Sequence, residues 1–175
     1  MSVIRRAPRG RPSIGFQLEV PAEVECLEGA VVTCRERGED GRTVGELVAR
    51  VFAAALIIDR DGILADKASE ALAQETRAPA APALEVMLPG ATGFRAEAIQ
   101  RAPLPYVHVF ALAAPDSVDG GILVTIRSLR PDWPAAEQML SSLRLLTRHG
   151  KLATSDEPGA NDNATVLPVV VIKRP

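Results

Sequence analysis

Apolar and polar residues alternate near the start of the chain and predict its first strand. Residues 16–20 (Phe-Gln-Leu-Glu-Val) place apolar side chains on one face and polar side chains on the other, as a half-buried strand does. Pro21 ends this strand, because proline has no backbone N–H to donate to a sheet. A β-prone run at residues 29–35 predicts a second strand, and Gly-Glu-Asp-Gly at residues 38–41 predicts a turn after it.

The pattern of residues 44–59 fits two structures. Several apolar residues recur at the spacing of a helix face, and Thr43 and Glu46 have the spacing of a helix capping box. Residues 52–59 are also a continuous, mostly apolar run of strand length. Because periodicity alone does not separate the two, we predict a strand over residues 51–59 with a helical turn before it, and keep the helix as the alternative.

The next elements are a helix and an antiparallel meander. Residues 63–76 carry Leu64, Ala68 and Leu72 on one face and mostly polar residues on the other, which predicts an amphipathic helix. A stiff connector with two prolines follows at residues 78–83. Short connections then separate four strand-like runs, which predicts antiparallel neighbours. These runs are residues 84–88, 93–101, 106–114 and 120–130.

The last helix is predicted at residues 134–146, with Pro134 in its first turn and an apolar stripe along one side. The strand at residues 106–114 is mostly apolar on both faces, which predicts a sheet covered on two sides. We therefore predict an α+β fold of the α/β/α sandwich type. Its central antiparallel sheet would have about six to seven strands, with helices packed on both faces.

The chain divides into four predicted segments. Residues 1–14 are a flexible basic arm, residues 15–148 form a single domain, and residues 149–165 are a polar linker. Residues 166–175 begin with a short β-prone run, Val-Leu-Pro-Val-Val-Val-Ile, which is too apolar to be left in water. This tail either returns to a sheet edge of its own chain or adds to the sheet edge of a neighbour, which would make a dimer.

Composition and charge exclude several classes of partner. The net charge of −2 and the pI of about 5.8 argue against a nucleic-acid partner and against binding to an anionic membrane surface. No apolar run approaches the roughly 20 residues that span a bilayer, and no apolar signal segment follows the N-terminal arginines. We predict a soluble, cytoplasmic protein.

Cys26 and Cys34 are the only two cysteines of the chain. Their spacing is not that of a zinc site, and no second Cys or His pair completes one. A disulfide across a tight hairpin is one interpretation. Free, partly buried thiols are the interpretation that we favour, because no secretion signal is present.

The sequence carries no recognisable catalytic motif, phosphate-binding loop, metal site or cofactor site. His108 is the best candidate for chemistry, because it shares a strand face with Tyr106, and Arg127 on the next strand completes a hypothetical pocket. A packed histidine is the simpler interpretation. Trp133 either anchors the last helix or marks a contact surface. Three further residues, Arg95, Glu97 and Arg101, form with Arg127 either a solvated charge ladder or an anion site.

The order of elements resembles the PsbP-like family of α/β/α sandwiches, which includes Mog-type, DcrB-type and LpqN-type proteins. The resemblance covers roughly residues 15–147. It is carried by the opening Phe-Gln-Leu-Glu-Val-Pro at residues 16–21, the central helix and connector, the meander, and Ser-Leu-Arg at residues 142–144. The tryptophan that often follows the opening proline is replaced by Ala-Glu-Val at residues 22–24, and the LpqN-type lipobox is absent.

The resemblance implies an antiparallel sheet with helices on both faces and no single activity, since members resemble adaptors, chaperone-like factors and assembly subunits. We therefore predict a non-enzymatic binding or adaptor domain that contacts another protein or a second copy of itself. A small enzyme or ligand-binding protein with a pocket near His108, Tyr106 and Arg127 is the alternative. A chaperone that serves a secretion system is a further alternative.

Overall fold

The computed structural model describes residues 2–6, 14–79 and 81–146. Ten strands and two helices lie in these ranges. In chain order they are β1 (Ser2–Arg6), β2 (Gly15–Glu19), β3 (Val24–Glu28), β4 (Val32–Arg37), β5 (Thr43–Ala53), α1 (Arg60–Thr76), β6 (Leu84–Leu88), β7 (Ala91–Ile99), β8 (Tyr106–Ala113), β9 (Gly120–Ser128), α2 (Pro134–Ser142) and β10 (Arg144–Leu146).

The strands form two sheets. The larger sheet has seven strands in the order β3-β4-β5-β9-β8-β7-β6, and all of its neighbours are antiparallel. The smaller sheet has three strands, with β2 between β1 and β10. The predicted meander is confirmed, because β6, β7, β8 and β9 follow one another in sequence and in space.

Helix α1 covers one side of the large sheet, which we call the helix face. Leu64, Ala68 and Leu72 of α1 are buried there together with Val107, Val109 and the other alternate residues of β8. Alanines stand at many contact positions on both partners, and these small side chains allow the helix to lie close to the strands. They are Ala68 and Ala71 on the helix, and Ala96, Ala98, Ala111 and Ala113 on the strands.

A different layer covers the opposite face. There Phe16 and Leu18 of β2 and Met139 of α2 are buried against Leu112 and Ile122 of the large sheet. The predicted α/β/α sandwich is therefore wrong, because a three-stranded sheet with one nine-residue helix replaces the second helical layer. The fold is mostly β, and the part of the prediction that holds is the antiparallel sheet of seven strands.

Helix α2 is shorter than the sequence predicts. It ends at Ser142, and the next residues form β10, which pairs with β2 instead of continuing the helix to residue 146. Leu143 fits the predicted helical stripe and is buried in the same core as Met139, so the stripe did not reveal the change. The hydroxyl of Ser142 accepts a hydrogen bond from the backbone N–H of Glu19 at 2.8 Å, which ties the helix end to β2.

Two further predictions near the N-terminal half are corrected. The ambiguous segment is a strand, but it is β5 at Thr43–Ala53, and residues 54–59 lead out of it as a turn and loop rather than forming the strand predicted at 51–59. Cys26 and Cys34 are joined by a disulfide, not free. The sequence pattern did not predict β3. This strand pairs with β4 and places Cys26 directly opposite Cys34.

The outer segments are only partly covered by the structure. Residues 2–6 of the predicted flexible arm form β1 on the edge of the small sheet. The predicted linker and the apolar C-terminal run lie outside the described residues. No helix within the described ranges is long and apolar enough to cross a membrane.

Candidate functional site

A cleft of about 390 Å³ lies on the opposite face of the large sheet, beside α2. We call it the α2 cleft. Its floor comes from β6, β7, β8 and β9, and its wall comes from α2 and the segment before that helix. The lining residues are Val86, Leu88, Pro89, Arg95, His108, Phe110, Ile126, Ser128, Pro131, Trp133, Ala136, Glu137, Leu140 and Ser141. Most of these side chains are apolar, which suits an apolar ligand.

The strand register explains why these side chains share one surface. Residues that face each other across an antiparallel pair point to the same side of the sheet. His108 lies opposite Ile126 on β9, and Phe110 lies opposite Arg95 on β7. Alternate residues of β6 to β9 therefore form the floor, while α2 lies along only one side of it.

Trp133 fixes the position of α2. Its indole N–H donates a hydrogen bond to Glu36 on β4 at 2.5 Å, and its ring lies over Gly45 of β5. A Cβ atom at Gly45 would lie 2.2 Å from Cε2 of the Trp133 ring, so glycine is required for this close approach. The side chain of Trp133 is buried, and it closes one end of the α2 cleft.

Two residues that line the α2 cleft, Arg95 and His108, both contact the carboxylate of Glu97, which does not itself line the cleft; we call these three residues the cleft cluster. Oε2 of Glu97 lies 3.3 Å from a terminal nitrogen of Arg95 and 3.3 Å from Nδ1 of His108. The single carboxylate of Glu97 therefore contacts both an arginine and a histidine. The Glu97 side chain is 51% exposed, so water weakens both interactions.

Nε of Arg95 is buried and has no hydrogen-bond partner within the described residues. Buried N–H groups in folded proteins are nearly always paired, because an unpaired donor costs about 1–3 kcal/mol. Because this atom is also closed to solvent, an acceptor on a bound molecule would reach it only when the Arg95 side chain, which is 37% exposed, turns toward the α2 cleft. The buried N–H of Arg95 is thus the strongest sign of a ligand in this structure.

Burial lowers the pKa of His108 below its ordinary value, and the positive charge of Arg95 acts in the same direction. Glu97 opposes this shift, but it does not reverse it. His108 is therefore neutral at pH 7. With Nδ1 beside Glu97, the other ring nitrogen, Nε2, has no partner within the described part of the chain.

The structure brings two of the four predicted site residues together. His108 and Trp133 both line the α2 cleft. Tyr106 lies on the same strand face, two residues from His108, but does not line the cleft. Arg127 lies on the helix face, so no pocket combines it with His108 and Tyr106.

Arg127 belongs to a second charged group, which we call the helix-face cluster. Its guanidinium donates to Glu46 on β5 at 2.8 Å and to Glu75 on α1. Glu46 also accepts from Nε of Arg35 at 2.5 Å. Burial alone would lower the pKa of Arg127, but the hydrogen bonds and charges of Glu75 and Glu46 raise it above its ordinary value.

Sequence reasoning did not assign Arg95 and Glu97 to the site with His108. The sequence places both, with Arg101 and Arg127, in a solvated charge ladder or an anion site. The signal that separates them is strand register, since Glu97 lies opposite His108 whereas Arg127 lies opposite Val107. The α2 residues of the cleft wall, such as Leu140, carry no sequence signal beyond an ordinary apolar stripe.

The cleft cluster and its surroundings contain few groups for catalysis. The hydroxyl of Ser128 lies in the α2 cleft but donates to the backbone carbonyl of Arg130 at 2.6 Å. No group of three or more His, Cys, Asp or Glu residues that could hold a metal ion occurs in the described ranges.

Comparison of the chain with protein-family models, with curated proteins and with solved structures found no match. Function is therefore inferred from the geometry of the α2 cleft and of the sheet that carries it.

Proposed function

We propose that this chain is a non-enzymatic binding domain whose α2 cleft holds a small, neutral, amphipathic ligand with one hydrogen-bond acceptor. The observation that carries the proposal is the buried, unpaired N–H of Arg95 in an otherwise apolar cleft. Sites of this kind combine an apolar lining with a few polar groups that orient the ligand. The volume of about 390 Å³ falls within the range of small-molecule sites.

The apolar body of the ligand would lie between the sheet and α2. Phe110 and Ile126 form the floor there, Leu140 forms the wall, and Val86 lies on the side of the edge strand. Burial of apolar ligand surface against these side chains contributes roughly 25 cal/mol per Å². The acceptor atom of the ligand would meet the guanidinium of Arg95, whose side chain is 37% exposed and turns to bring its unpaired Nε to the ligand.

The charges around the cleft favour a neutral acceptor over a carboxylate. Glu97 already lies beside the guanidinium of Arg95, and a second carboxylate, Glu137, lines the α2 cleft. His108 is neutral at pH 7, so it adds no positive charge. A negatively charged ligand would therefore approach two carboxylates and one arginine, whereas a carbonyl oxygen satisfies Arg95 without adding charge.

The test compares three probes with the same alkyl chain: octanamide, octanoate and octylamine. Trp133 is the only tryptophan of the chain and lines the cleft, so its fluorescence reports binding directly. We expect octanamide to bind more tightly than octanoate or octylamine. The Arg95→Met substitution should weaken octanamide binding by about tenfold, because a hydrogen bond from a charged donor is lost.

The matched control is Arg50→Met, which removes an exposed arginine from the helix face of β5. Octanamide binding should be unchanged in this variant. The proposal fails if no probe changes the Trp133 signal, if the three probes bind equally, or if Arg95→Met and Arg50→Met have the same effect.

A small hydrolase is the second candidate, because His108 lines the cleft and its Nδ1 lies 3.3 Å from Glu97. A carboxylate that orients a histidine is an arrangement used in general-base catalysis. The test is hydrolysis of an octanoate ester by the wild-type chain and by His108→Gln. Turnover that disappears in the variant would favour the enzyme over the binding domain.

The other sequence predictions keep the status of proposals. They are a protein partner or a homodimer, an adaptor or secretion-chaperone role, membership of the PsbP-like family, a cytoplasmic location, and no nucleic-acid or membrane partner. The apolar α2 cleft and the low net charge of −2 are compatible with each of them. Only the homodimer gains further support, from a different part of the fold.

A further inference from the structure

Strand β6 is one of the two edges of the seven-stranded sheet, and β3 is the other. An edge strand presents unpaired N–H and C=O groups that can pair with another strand. Proteins usually protect such edges with charges, prolines or bulges. Within Leu84–Leu88, β6 has one charged residue, Glu85, no proline, and a regular register with β7.

The turn after β6 determines which backbone groups are free. Pro89 and Gly90 connect β6 to β7 as a two-residue turn, and Gly90 has the positive φ of 81° that this turn requires. Leu88 and Ala91 flank the turn and form a hydrogen-bonded pair. Hydrogen bonding alternates along an antiparallel pair, so Leu84, Val86 and Leu88 bond to β7. The N–H and C=O groups of the two residues that alternate with them point away from the sheet.

The outward-pointing residues are therefore Glu85 and Met87. Their backbone groups have no hydrogen-bond partner within the described ranges. The side chain of Met87 is 78% exposed, and that of Leu84, at the start of the strand, is 59% exposed. An extended, regular and partly apolar edge of this kind favours pairing with another strand.

The sequence of β6 is complementary to itself in one antiparallel register. If two copies pair about a two-fold axis at Val86, Glu85 lies opposite the partner's Met87 and Leu84 lies opposite the partner's Leu88. The free groups of Glu85 and Met87 then face those of the partner's Met87 and the partner's Glu85 and exchange hydrogen bonds. Every charged side chain lies opposite an apolar one.

Moving the two-fold axis by one residue keeps the same alternation of hydrogen bonds, but both of these registers are less stable. An axis at Glu85 would place this carboxylate opposite the partner's Glu85, and like charges directly opposite are destabilising. An axis at Met87 would place Glu85 opposite the partner's Pro89, which has no N–H to donate. The register with its axis at Val86 avoids both problems.

We propose that two copies of this chain associate through β6, antiparallel about a two-fold axis at Val86, and so join their seven-stranded sheets. The proposal goes beyond the binding function and does not depend on it. It also completes the α2 cleft, whose side away from α2 is bounded by Val86 and Leu88. In the dimer the partner's Val86 and the partner's Leu88 extend the apolar floor across the axis.

The test uses two variants at one exposed position. In the proposed register Met87→Glu places a negative charge opposite the partner's Glu85, twice in each dimer, whereas Met87→Lys places a positive charge there. Sedimentation equilibrium of the full chain should therefore show a dimer for the wild type and a dissociation constant about tenfold higher for Met87→Glu than for Met87→Lys.

The matched control is Leu27→Glu on the other edge strand, β3, where Leu27 is 71% exposed. This substitution should leave the dimer unchanged. A wild-type monomer, equal effects of Met87→Glu and Met87→Lys, or loss of the dimer in Leu27→Glu would overturn the proposal. A dimer that disappears when residues 166–175 are deleted, but not in Met87→Glu, would overturn it in favour of the C-terminal tail. None of these measurements involves ligand binding, so they stand apart from the test of the α2 cleft.

Discussion

The two faces of the large sheet each carry a cluster of arginines and carboxylates, and the two clusters differ in how completely their charges are paired. The helix-face cluster holds two arginines, Arg35 and Arg127, and two carboxylates, Glu46 and Glu75. Its central Glu46 is buried, with 10% of its side chain exposed, and both of its oxygens accept hydrogen bonds. The cleft cluster has one carboxylate, Glu97, for Arg95 and His108, and leaves an N–H of Arg95 unpaired.

The cause of this difference is the layer that covers each face. Helix α1 lies across the strands of the helix face and supplies Glu75 as a second carboxylate for Arg127. Helix α2 is only nine residues long and lies along one side of the opposite face. No carboxylate of α2 pairs with Arg95 within the described residues. We therefore assign a structural role to the helix-face cluster and, as part of the proposed function, a ligand-binding role to the cleft cluster.

The largest expected effect compares the same substitution in the two clusters. Arg127→Met removes the partner of Glu75 and one of the two arginines that pair with Glu46, and Glu46 is too buried for water to compensate fully. We expect the free energy of unfolding in urea to fall by about 2 kcal/mol, less than for a fully buried pair because the Arg127 side chain is 32% exposed.

Arg95→Met is the control for that comparison. It removes an unpaired N–H, which should stabilise the fold, and one contact with an exposed carboxylate, so we expect no loss of stability larger than about 0.5 kcal/mol. Equal losses of stability in Arg127→Met and Arg95→Met would contradict the division into a structural cluster and a ligand cluster.

The sequence predicted the strands of the meander, β6 to β9, and α1 well because each has a strong local pattern. Residues 106–114 alternate apolar side chains toward two faces, and α1 has an apolar stripe, so these elements follow from periodicity. The prediction of a second helical layer is wrong. The apolar stripe of residues 134–146 fits a long helix, but it also fits a helix that ends at Ser142 with a buried strand after it. Pairing of β10 with β2 is a long-range contact that no local pattern encodes.

The site was harder to predict than the fold. His108 and Trp133 were named, but Arg95 became significant only through an unpaired atom, which is a property of three-dimensional packing. The sequence grouped Arg127 with His108 because the strand that carries Arg127 lies next to the strand that carries His108. Their positions in the register differ by one residue, which is enough to place them on opposite faces.

A smaller effect concerns the arginines that attach the covering layers to the sheet. Arg60, the first residue of α1, donates to the carbonyls of Ala113 at 2.9 Å and Ser117 at 3.2 Å and to the Thr92 hydroxyl at 3.1 Å. Arg60→Ala leaves these partly buried acceptors unpaired, so thermal unfolding should show a loss of about 1 kcal/mol.

The corresponding residue on the opposite face is Arg144, at the start of β10. Its guanidinium donates to the carbonyls of Leu143 at 2.8 Å and Ser141 at 3.0 Å, which are local, and its one long-range bond, to the carbonyl of Pro89, is exposed and 3.5 Å long. Arg144→Ala should cost less than about 0.5 kcal/mol. A larger loss for Arg144→Ala than for Arg60→Ala would show that the layer with α2 is attached more firmly than α1.

The smallest expected effect is the pH dependence that arises from the cleft cluster. Burial lowers the pKa of His108 in the folded chain below its value of about 6.5 in the unfolded chain. The unfolded state therefore binds the proton first as pH falls. Stability from this group is fully present above the unfolded pKa and is lost as pH falls through the folded pKa.

His108→Gln removes this contribution, so its urea midpoint should fall less than that of the wild type between about pH 7.5 and 5.5. Arg127 keeps its charge throughout this window because its pKa is raised, so the helix-face cluster contributes no such change through its arginine. Parallel pH profiles of the wild type and His108→Gln would show that protonation of His108 costs the cleft nothing, and that the cleft cluster is more solvated than its contacts indicate.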